Sequence, residues 1–320
     1  MHPFLVCAIL LVAVGVLQNI FAPKRPVISS KEMQGLTIGV VLVVPPKQHV
    51  EPIVSGLLHS AARPECVRFY VAKLCDPGED QLAIQDVKIR VSTRVHYVRA
   101  RFGDAARLRA RLLPDVLETY CLMLDSSFQA EMGWDDTLIG EWQAARDKDG
   151  ALTTRLASHE APEGFLTVDA MDDRHNATFG WIGYACVPKR PQPSLCASAN
   201  FLFARTVSLL DTWPSVDSLN GADEDATVTA HLWMSGTDFY APASMPLWRA
   251  PGTPNTDAPS GLMRMPPHRG PRRSQAELLH AMGIRRGRVT SRGKTGISQN
   301  ATASERFAKC GETFVAHRDL

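Results

Sequence analysis

The stretch CLMLDSSFQAEMGWDD, Cys121–Asp136, joins a short apolar run to an aspartate and then to a second apolar pattern. The run Tyr120–Leu124 predicts a buried strand, and the spacing of the large apolar residues over Trp134–Trp142 predicts a helix. Asp125 therefore stands directly at the end of a strand. Two interpretations of it are open: it caps the turn that follows, or it meets a cation or a charged ligand.

Strand and helix patterns alternate on the N-terminal side of this stretch. The continuous apolar run Leu36–Val44 is typical of a strand that is buried on both faces of a mostly parallel sheet. A helical spacing follows at Val50–Ala62, a strand pattern at Val67–Leu74 and another helical spacing at Ala105–Leu117. The alternation predicts an α/β fold whose central, mostly parallel sheet is flanked by helices.

The pattern changes on the C-terminal side. Ala151–Ala157 predicts a further strand, Pro162–Arg190 indicates loops, and Asp223–Gly236 predicts a helix that ends at the glycine. Pro251–Pro271 is rich in proline and glycine and is interpreted as a linker. The motif Ser274-Gln-Ala-Glu277 is typical of a capping box before a short helix.

The segment Phe4–Ala22 is almost wholly apolar and, as a helix, would reach about 28 Å, which is enough to span a bilayer. A cleaved signal peptide is the alternative, but the segment is long for one and has no evident cleavage site. We expect a signal anchor over residues 1–23, a short stem over 24–34, a catalytic or binding domain over 35–250 and a basic extension with a short helix over 251–320.

Charge and cysteine content bear on partners and compartment. The formal net charge of +2 gives no reason to expect a nucleic-acid partner. Lys24 and Arg25, which follow the apolar segment, favour a cytosolic position for the rest of the chain. The acceptor sequences at Asn176 and Asn300, and six cysteines beyond the segment that suit three disulfides, favour a lumen. We expect the lumenal orientation, with both asparagines glycosylated.

Three blocks, in order over about 120 residues, carry a resemblance to a known family. The first is Leu124-Asp-Ser-Ser-Phe128 with Gly133-Trp-Asp-Asp-Thr-Leu-Ile139, and the second is Ser198-Ala-Asn-Phe-Leu-Phe-Ala204. The third runs from Glu224-Asp225 through Ala230-His-Leu-Trp233 to a final Asp-Phe-Tyr-Ala-Pro. They resemble the protist polypeptide α-N-acetylglucosaminyltransferases, glycosyltransferase family 60, of which the chain would be a divergent member. In the second block, that family has glycine where this chain has Asn200.

The resemblance implies a GT-A-type nucleotide-diphospho-sugar transferase fold with UDP-GlcNAc as the donor. It implies a serine, threonine or hydroxyproline hydroxyl of a polypeptide as the acceptor, and retention of configuration at the sugar carbon. Together with the apolar segment, it implies a single-pass Golgi membrane protein with a lumenal catalytic domain. The endoplasmic reticulum membrane is the alternative location.

The resemblance also assigns the donor side of the site. Asp125 corresponds to the first acid of a degenerate Asp-x-Asp and, with Ser127, would bind Mn²⁺ or Mg²⁺ on the diphosphate. Arg107 or Arg109 would donate to phosphate or sugar oxygens, because a guanidinium forks well onto such acceptors. A solvated helix face is the alternative interpretation of either arginine.

Glu224 and Asp225 are the candidate catalytic acids in this resemblance. One of them would lie against the acceptor hydroxyl or the sugar hydroxyls, although acids are also favoured at a helix start by the macrodipole alone. Asn200 and Trp233 are assigned to the acceptor side, with the protein core as the alternative for the tryptophan.

The sequence departs from the family pattern at the metal. The histidine expected after Asp-Ser is Ser127, and a later histidine is missing near Pro246-Leu247-Trp248. A serine hydroxyl is a poorer ligand than imidazole for manganese-like ions, so metal dependence is in doubt. An alternative function is therefore a non-catalytic, membrane-tethered protein that binds a sugar nucleotide or a glycopeptide. A third is an adaptor that keeps only the fold.

Overall fold

The computed structural model describes residues 35–46, 48–74, 94–95, 105–156, 164–171, 176–183, 188–219, 224–250, 260–262, 273–274 and 277. The predicted anchor and stem, and Asn300, lie outside these residues. Within the described ranges, no helix combines the length and the apolar character that a membrane span requires.

In chain order the strands are β1 (Ile38–Val44), β2 (Val67–Lys73), β3 (Arg94–Val95), β4 (Tyr120–Asp125), β5 (Phe128–Ala130), β6 (Ala151–Thr153), β7 (Gly164–Met171), β8 (Asn176–Gly183), β9 (Gln192–Ser194), β10 (Phe201–Arg205), β11 (Phe239–Ala241), β12 (Leu247–Arg249) and β13 (Ser260–Leu262). The α-helices are α1 (Val50–Ser60), α2 (Ala105–Leu112), α3 (Trp134–Ala144), α4 (Thr206–Thr212) and α5 (Glu224–Met234).

Eight of the described strands form one sheet in the order β3-β2-β1-β4-β10-β6-β11-β9. The half from β3 to β4 is parallel throughout, and β10 then runs antiparallel to both β4 and β6. Strand β11 is again parallel to β6. The predicted mixed α/β fold with a central, mostly parallel sheet is confirmed.

The central strands are buried because helices cover both faces of the sheet. All seven residues of β1 are buried, as the continuous apolar run predicts. On one face Val41 and Met123 share a core with α2, α4 and α5. On the other face α3 packs on β10 and β6, and the indole of Trp134 donates to the Leu57 carbonyl of α1 at 2.9 Å.

The helix predicted over Ala105–Leu117 is shorter in the structure. It ends at Leu112 and continues as a 3₁₀ turn, Leu113–Asp115. Pro114 explains the change, because proline has no amide hydrogen to donate and its ring clashes with the carbonyl four residues earlier. The helices α1 and α5 follow their predicted bounds closely.

The loops predicted over Pro162–Arg190 and the linker over Pro251–Pro271 are partly wrong. Strands β7 and β8 pair antiparallel within the first segment, and β13 from the second joins β8 to make a three-stranded sheet. The alternation of apolar and polar residues over Leu166–Ala170 is a strand signal that the glycines and acids around it obscured. Asn176, the predicted glycosylation acceptor, is the first residue of β8.

Two further predictions have outcomes in the structure. The capping box is confirmed, since the Ser274 hydroxyl and the Glu277 carboxylate exchange hydrogen bonds with each other's backbone amides. The six cysteines beyond the apolar segment are enough for three disulfides, but Cys66 and Cys121 are free thiols, so these two cysteines do not pair. Cys121 lies in β4, where burial raises the pKa of its thiol well above the ordinary value.

The first turn of α3 also fixes the end of α1. Asp135 is 1% exposed, and its two carboxylate oxygens accept the amides of Ala62 and Arg63 at 2.7 and 2.9 Å. Asp136, the next residue, makes a half-exposed ion pair with the Arg63 side chain. Of these two acids, only Asp135 accepts hydrogen bonds from the backbone amides that follow the end of α1.

We predict that Asp135→Ala lowers the free energy of unfolding by about 2 kcal/mol, because the backbone amides of Ala62 and Arg63 lose a charged, buried acceptor. Asp136→Ala is the matched control and should cost less than about 1 kcal/mol, as exposed ion pairs do. Urea unfolding midpoints of the two variants measure the difference. Equal losses would contradict the assigned role of Asp135.

Candidate active site

Asp125 lies at the carboxyl edge of the parallel half of the sheet. It is the last residue of β4, level with Val43 of β1, and its amide donates to the Asn200 carbonyl at 3.0 Å. The sheet changes direction here, because β10 is antiparallel to β4. Ligands of open α/β sheets bind beyond the carboxyl ends of strands, at points where the strand order switches.

The two carboxylate oxygens of Asp125 correspond to its two interpretations, as a cap of the following turn and as a contact for a cation or a charged ligand. Oδ1 accepts the Ser127 amide at 3.1 Å, so the carboxylate does cap the turn after β4. Oδ2 makes no hydrogen bond to any residue in the described part of the chain, and the side chain is half-buried. The turn fixes the orientation of the carboxylate and leaves one oxygen available to a ligand.

Ser127 begins a two-stranded ribbon beside Asp125. Its carbonyl accepts the amide of Ala250 at 3.3 Å, and β5 pairs with β12 just beyond. The segment Pro246-Leu247-Trp248, where the second histidine was expected, lies in the same ribbon. The two departures from the family pattern are therefore on one structural element.

Arg109 and Glu224 form a buried ion pair close to Asp125. The guanidinium, on α2, is 4% exposed; its Nη1 pairs with Glu224 Oε2 and its Nη2 donates to Asn200 Oδ1 at 3.1 Å. Although burial acts to lower it, the carboxylates of Glu224, Asp125 and Asp225 hold the pKa of Arg109 above its ordinary value. The three acids are thus electrostatically coupled to one cation.

Asp225 is held from the other side by the turn that precedes β10. Its Oδ1 accepts the Ala199 amide at 2.6 Å and its Oδ2 lies 3.4 Å from the Ser198 hydroxyl. Burial raises the pKa of Asp225 to about 7, although the bond from Ala199 acts to lower it. Both of its oxygens are engaged, so Asp225 positions the turn and is not free for a ligand.

The structure thus brings five of the predicted site residues together: Asp125, Arg109, Asn200, Glu224 and Asp225. Arg107 does not join this cluster, because its side chain is exposed and its Nε donates to the Leu219 carbonyl at 3.2 Å. Trp233 lies about 14 Å further along α5 than Glu224, and Arg273 stacks over its ring at 4.9 Å. These contacts do not support the donor role of Arg107 or the acceptor role of Trp233, and both roles stay predictions from the sequence.

Two groups that sequence reasoning missed belong to this cluster. The Ser198 hydroxyl supports Asp225, and its place in the second family block was the available signal. Ser126 is 6% exposed, and its Oγ makes no hydrogen bond within the described residues. The same holds for Oε1 of Glu224. Arg109 Nε, in the same cluster, is likewise buried without a hydrogen bond within the described residues. Buried polar atoms rarely stay without a partner, so this group of atoms leaves places for the polar groups of a ligand or for water.

The acids of this cluster do not make a resident metal centre. Among the described residues, no three His, Cys, Asp or Glu side chains are grouped to hold a metal ion. The chain offers one unengaged carboxylate oxygen of Asp125 and the nearby Ser127 hydroxyl. Mg²⁺ at phosphate sites uses one or two carboxylates and completes its shell with phosphate oxygens and water. The residues fit a cation that is shared with an anionic ligand.

Residues 10–256 match the sequence model of a family described as Glycosyltransferase (GlcNAc). The chain belongs to this glycosyltransferase family. Among curated proteins there is no match to the sequence.

Two solved structures show different degrees of likeness to this glycosyltransferase. The crystal structure of GalNAc-T7 with UDP, GalNAc and Mn²⁺ superimposes with a TM-score of 0.51 at 11% identity, over 69% of this chain and 45% of that one. S. aureus TarS 1–349 in complex with UDP-GlcNAc gives a TM-score of 0.44 at 12% identity, over 69% and 60%. The chain spans less than half of the GalNAc-T7 chain. At such identity the likeness shows the GT-A fold alone.

The raised pKa of Asp225 predicts a pH dependence of stability. Its ordinary value is 3.8, so between about pH 4 and 7 the unfolded chain loses a proton that the folded chain keeps. The free energy of unfolding should fall over this window, by at most about 1.4 kcal/mol per pH unit, and then level off.

Asp225→Asn removes this titration and keeps an oxygen for the Ala199 amide. The stability of the variant minus that of the wild type should therefore rise from pH 4 to pH 7 and stay constant above. Urea titrations at several pH values measure it. A difference that is the same at every pH would contradict the assignment.

Proposed function

We propose that the protein transfers GlcNAc from UDP-GlcNAc to a serine, threonine or hydroxyproline hydroxyl of a polypeptide, with retention of configuration. The family supports glycosyl transfer, and the three sequence blocks support the polypeptide α-N-acetylglucosaminyltransferases, glycosyltransferase family 60, within it. The observation that carries the proposal is Asp125, which is fixed through Oδ1 at the switch point of the sheet while its Oδ2 makes no hydrogen bond within the described residues.

Asp125 Oδ2 and the Ser127 hydroxyl would hold a divalent cation, Mn²⁺ or Mg²⁺, on the donor diphosphate. When bound, such a cation neutralises the charge that develops on the departing UDP. The GalNAc-T7 structure contains Mn²⁺ together with UDP, which supports this assignment. Both terminal nitrogens of Arg109 are engaged by Glu224 and Asn200, so its Nε, which makes no hydrogen bond within the described residues, is the donor that Arg109 would offer to a phosphate or sugar oxygen.

Glu224 is the better of the two candidate catalytic acids. Its Oε2 is held by Arg109, whereas its Oε1 is buried and makes no hydrogen bond within the described residues. A hydroxyl of the donor sugar or of the acceptor would satisfy that oxygen. In the transfer, the bond from the anomeric carbon to the diphosphate breaks, and the acceptor oxygen bonds to the same carbon from the same face. The acceptor proton leaves with the departing phosphate.

We also propose a single-pass Golgi protein, held in the membrane by residues 4–22, with the catalytic domain in the lumen and Asn176 and Asn300 glycosylated. The endoplasmic reticulum membrane is the alternative compartment. The two acceptor sequences and the apolar segment support this location. Treatment of the expressed protein with a glycosidase should increase its gel mobility, and an unchanged mobility would count against the lumenal orientation.

The absence of both expected histidines favours a second candidate function. A membrane-tethered protein that binds a sugar nucleotide or a glycopeptide without turnover would need the fold and the Arg109 cluster, but no strong metal site. Binding of UDP-GlcNAc without transfer to any threonine-rich peptide, with and without manganese, would favour this alternative.

We predict that Asp125→Asn lowers the rate of transfer from UDP-GlcNAc to a threonine-rich peptide by at least about 100-fold. Asparagine keeps an oxygen for the Ser127 amide, so the turn and the stability should persist while the charge that holds a cation is lost. The measurement is the initial rate at saturating Mn²⁺.

Asp211→Asn is the matched control for this variant. Asp211 is exposed on α4, which begins at the opposite edge of the sheet, where the Thr206 amide donates to the Thr119 carbonyl. The control should keep the wild-type rate. A wild-type rate in Asp125→Asn would overturn the proposed role of the carboxylate.

A further inference from the structure

The carboxamide of Asn200 has an orientation that its neighbour dictates. Arg109 Nη2 donates to Asn200 Oδ1 at 3.1 Å, and a guanidinium has donors and no acceptor. The oxygen of the amide must therefore face Arg109, and the NH₂ group must point the other way. That NH₂ group makes no hydrogen bond to a residue in the ranges that the structure describes, and the side chain is half-buried.

Asn200 lies directly opposite Asp125. Phe201 pairs with Leu124 in the antiparallel ladder, and the next pair along it is joined by the hydrogen bond from the Asp125 amide to the Asn200 carbonyl. Directly opposed residues project from the same face, with Cβ atoms roughly 5 Å apart. The face is the one that Arg109 and Glu224 also occupy, since Met123 and Leu202 share its core with α2 and α5.

The NH₂ of Asn200 and the unengaged oxygens nearby make a complementary set. Asp125 Oδ2 and Glu224 Oε1 are acceptors without a partner among the described residues, and Asn200 Nδ2 is a neutral donor on the same face of the sheet. A hexose offers both kinds of group, because its hydroxyls donate and accept and an acetamido carbonyl accepts. A diphosphate offers acceptors only, which two carboxylates repel.

We propose that Asn200 Nδ2 donates a hydrogen bond to an oxygen of the donor sugar and thereby sets the preference for the complete sugar nucleotide over UDP. This inference rests on the proposed function, because it takes a UDP-sugar as the ligand of the site. It moves Asn200 from the acceptor side, where the resemblance placed it, to the donor side. The family block has glycine at this position, so the contact belongs to this chain.

Two substitutions of Asn200 distinguish the effect of its NH₂ group from that of the rest of its side chain. Asn200→Asp keeps an oxygen for Arg109 and has no NH₂ group, whereas Asn200→Gly removes the whole side chain and matches the family block. The affinities of wild type and variants for UDP and for UDP-GlcNAc, each with Mn²⁺, are measured by calorimetry. The decisive quantity is the dissociation constant for UDP divided by that for UDP-GlcNAc. The added charge of aspartate cancels in this ratio, because it acts on the diphosphate of both ligands.

We expect this ratio to fall by about five- to tenfold in both variants, which is the size of one hydrogen bond to a ligand. Gln129→Glu is the matched control: it makes the same amide-to-acid change on β5, and an oxygen remains for the Trp248 indole, which donates to Gln129 at 3.1 Å. The control should keep the wild-type ratio.

UDP-glucose, which lacks the acetamido group, identifies the oxygen. If Asn200 donates to the acetamido carbonyl, both variants lose the wild-type preference for UDP-GlcNAc over UDP-glucose. If it donates to a hydroxyl, that preference persists while both sugars lose affinity relative to UDP.

If the ratio is unchanged in both Asn200 variants, the inference is overturned and the proposed function stands. The same conclusion follows if the ratio falls equally in the Gln129→Glu control. A wild type that binds neither UDP nor UDP-GlcNAc overturns both.

Discussion

The guanidinium of Arg109 gathers the candidate site around one buried positive charge. It joins Glu224 of α5 to Asn200 before β10, and its field reaches Asp125 and Asp225 as well. Burying such a pair costs desolvation energy that its attraction does not always repay. An apolar residue at position 109 would leave the Glu224 carboxylate buried without a counter-charge, which is strongly destabilising. The position of Glu224 therefore depends on this cation, whereas backbone amides hold Asp125 and Asp225.

The geometry of the sheet explains why these residues meet. Strands β1 and β4 end at the same edge because they are parallel, and β10 enters the sheet at that edge because it is antiparallel. The turn from Ser198 to Asn200 thus reaches Asp125 through its carbonyl, Asp225 through its Ala199 amide and Arg109 through its amide oxygen. A parallel strand in place of β10 would have put this turn at the opposite edge.

Much of this arrangement was predictable from the sequence, because it rests on local patterns. The apolar run of β1, the strand that ends at Asp125 and the helix that starts at Glu224 all follow from periodicity and from the residues at their ends. The partners of Arg109 were not predictable in this way, because Glu224 and Asn200 are about one hundred residues distant along the chain. Helical spacing alone did not distinguish Arg109 from Arg107, since only tertiary packing buries one and leaves the other at the surface.

The charge balance of the cluster limits what can bind there. Asp125 and Glu224 face a single guanidinium, and Asp225 adds a further negative charge above about pH 7. On the proposed function, a sugar nucleotide brings a diphosphate to this acidic edge, where both terminal nitrogens of Arg109 are already engaged by Glu224 and Asn200. The proposal therefore has the balancing positive charge arrive with the donor as a divalent cation; the described residues do not group three ligands to hold one beforehand. In this proposal, uncharged groups bind the sugar, and the NH₂ group of Asn200 is one of them. In the proposed function, the donor itself thus completes the metal site beside Asp125, and the neutral amide of Asn200 contacts the sugar.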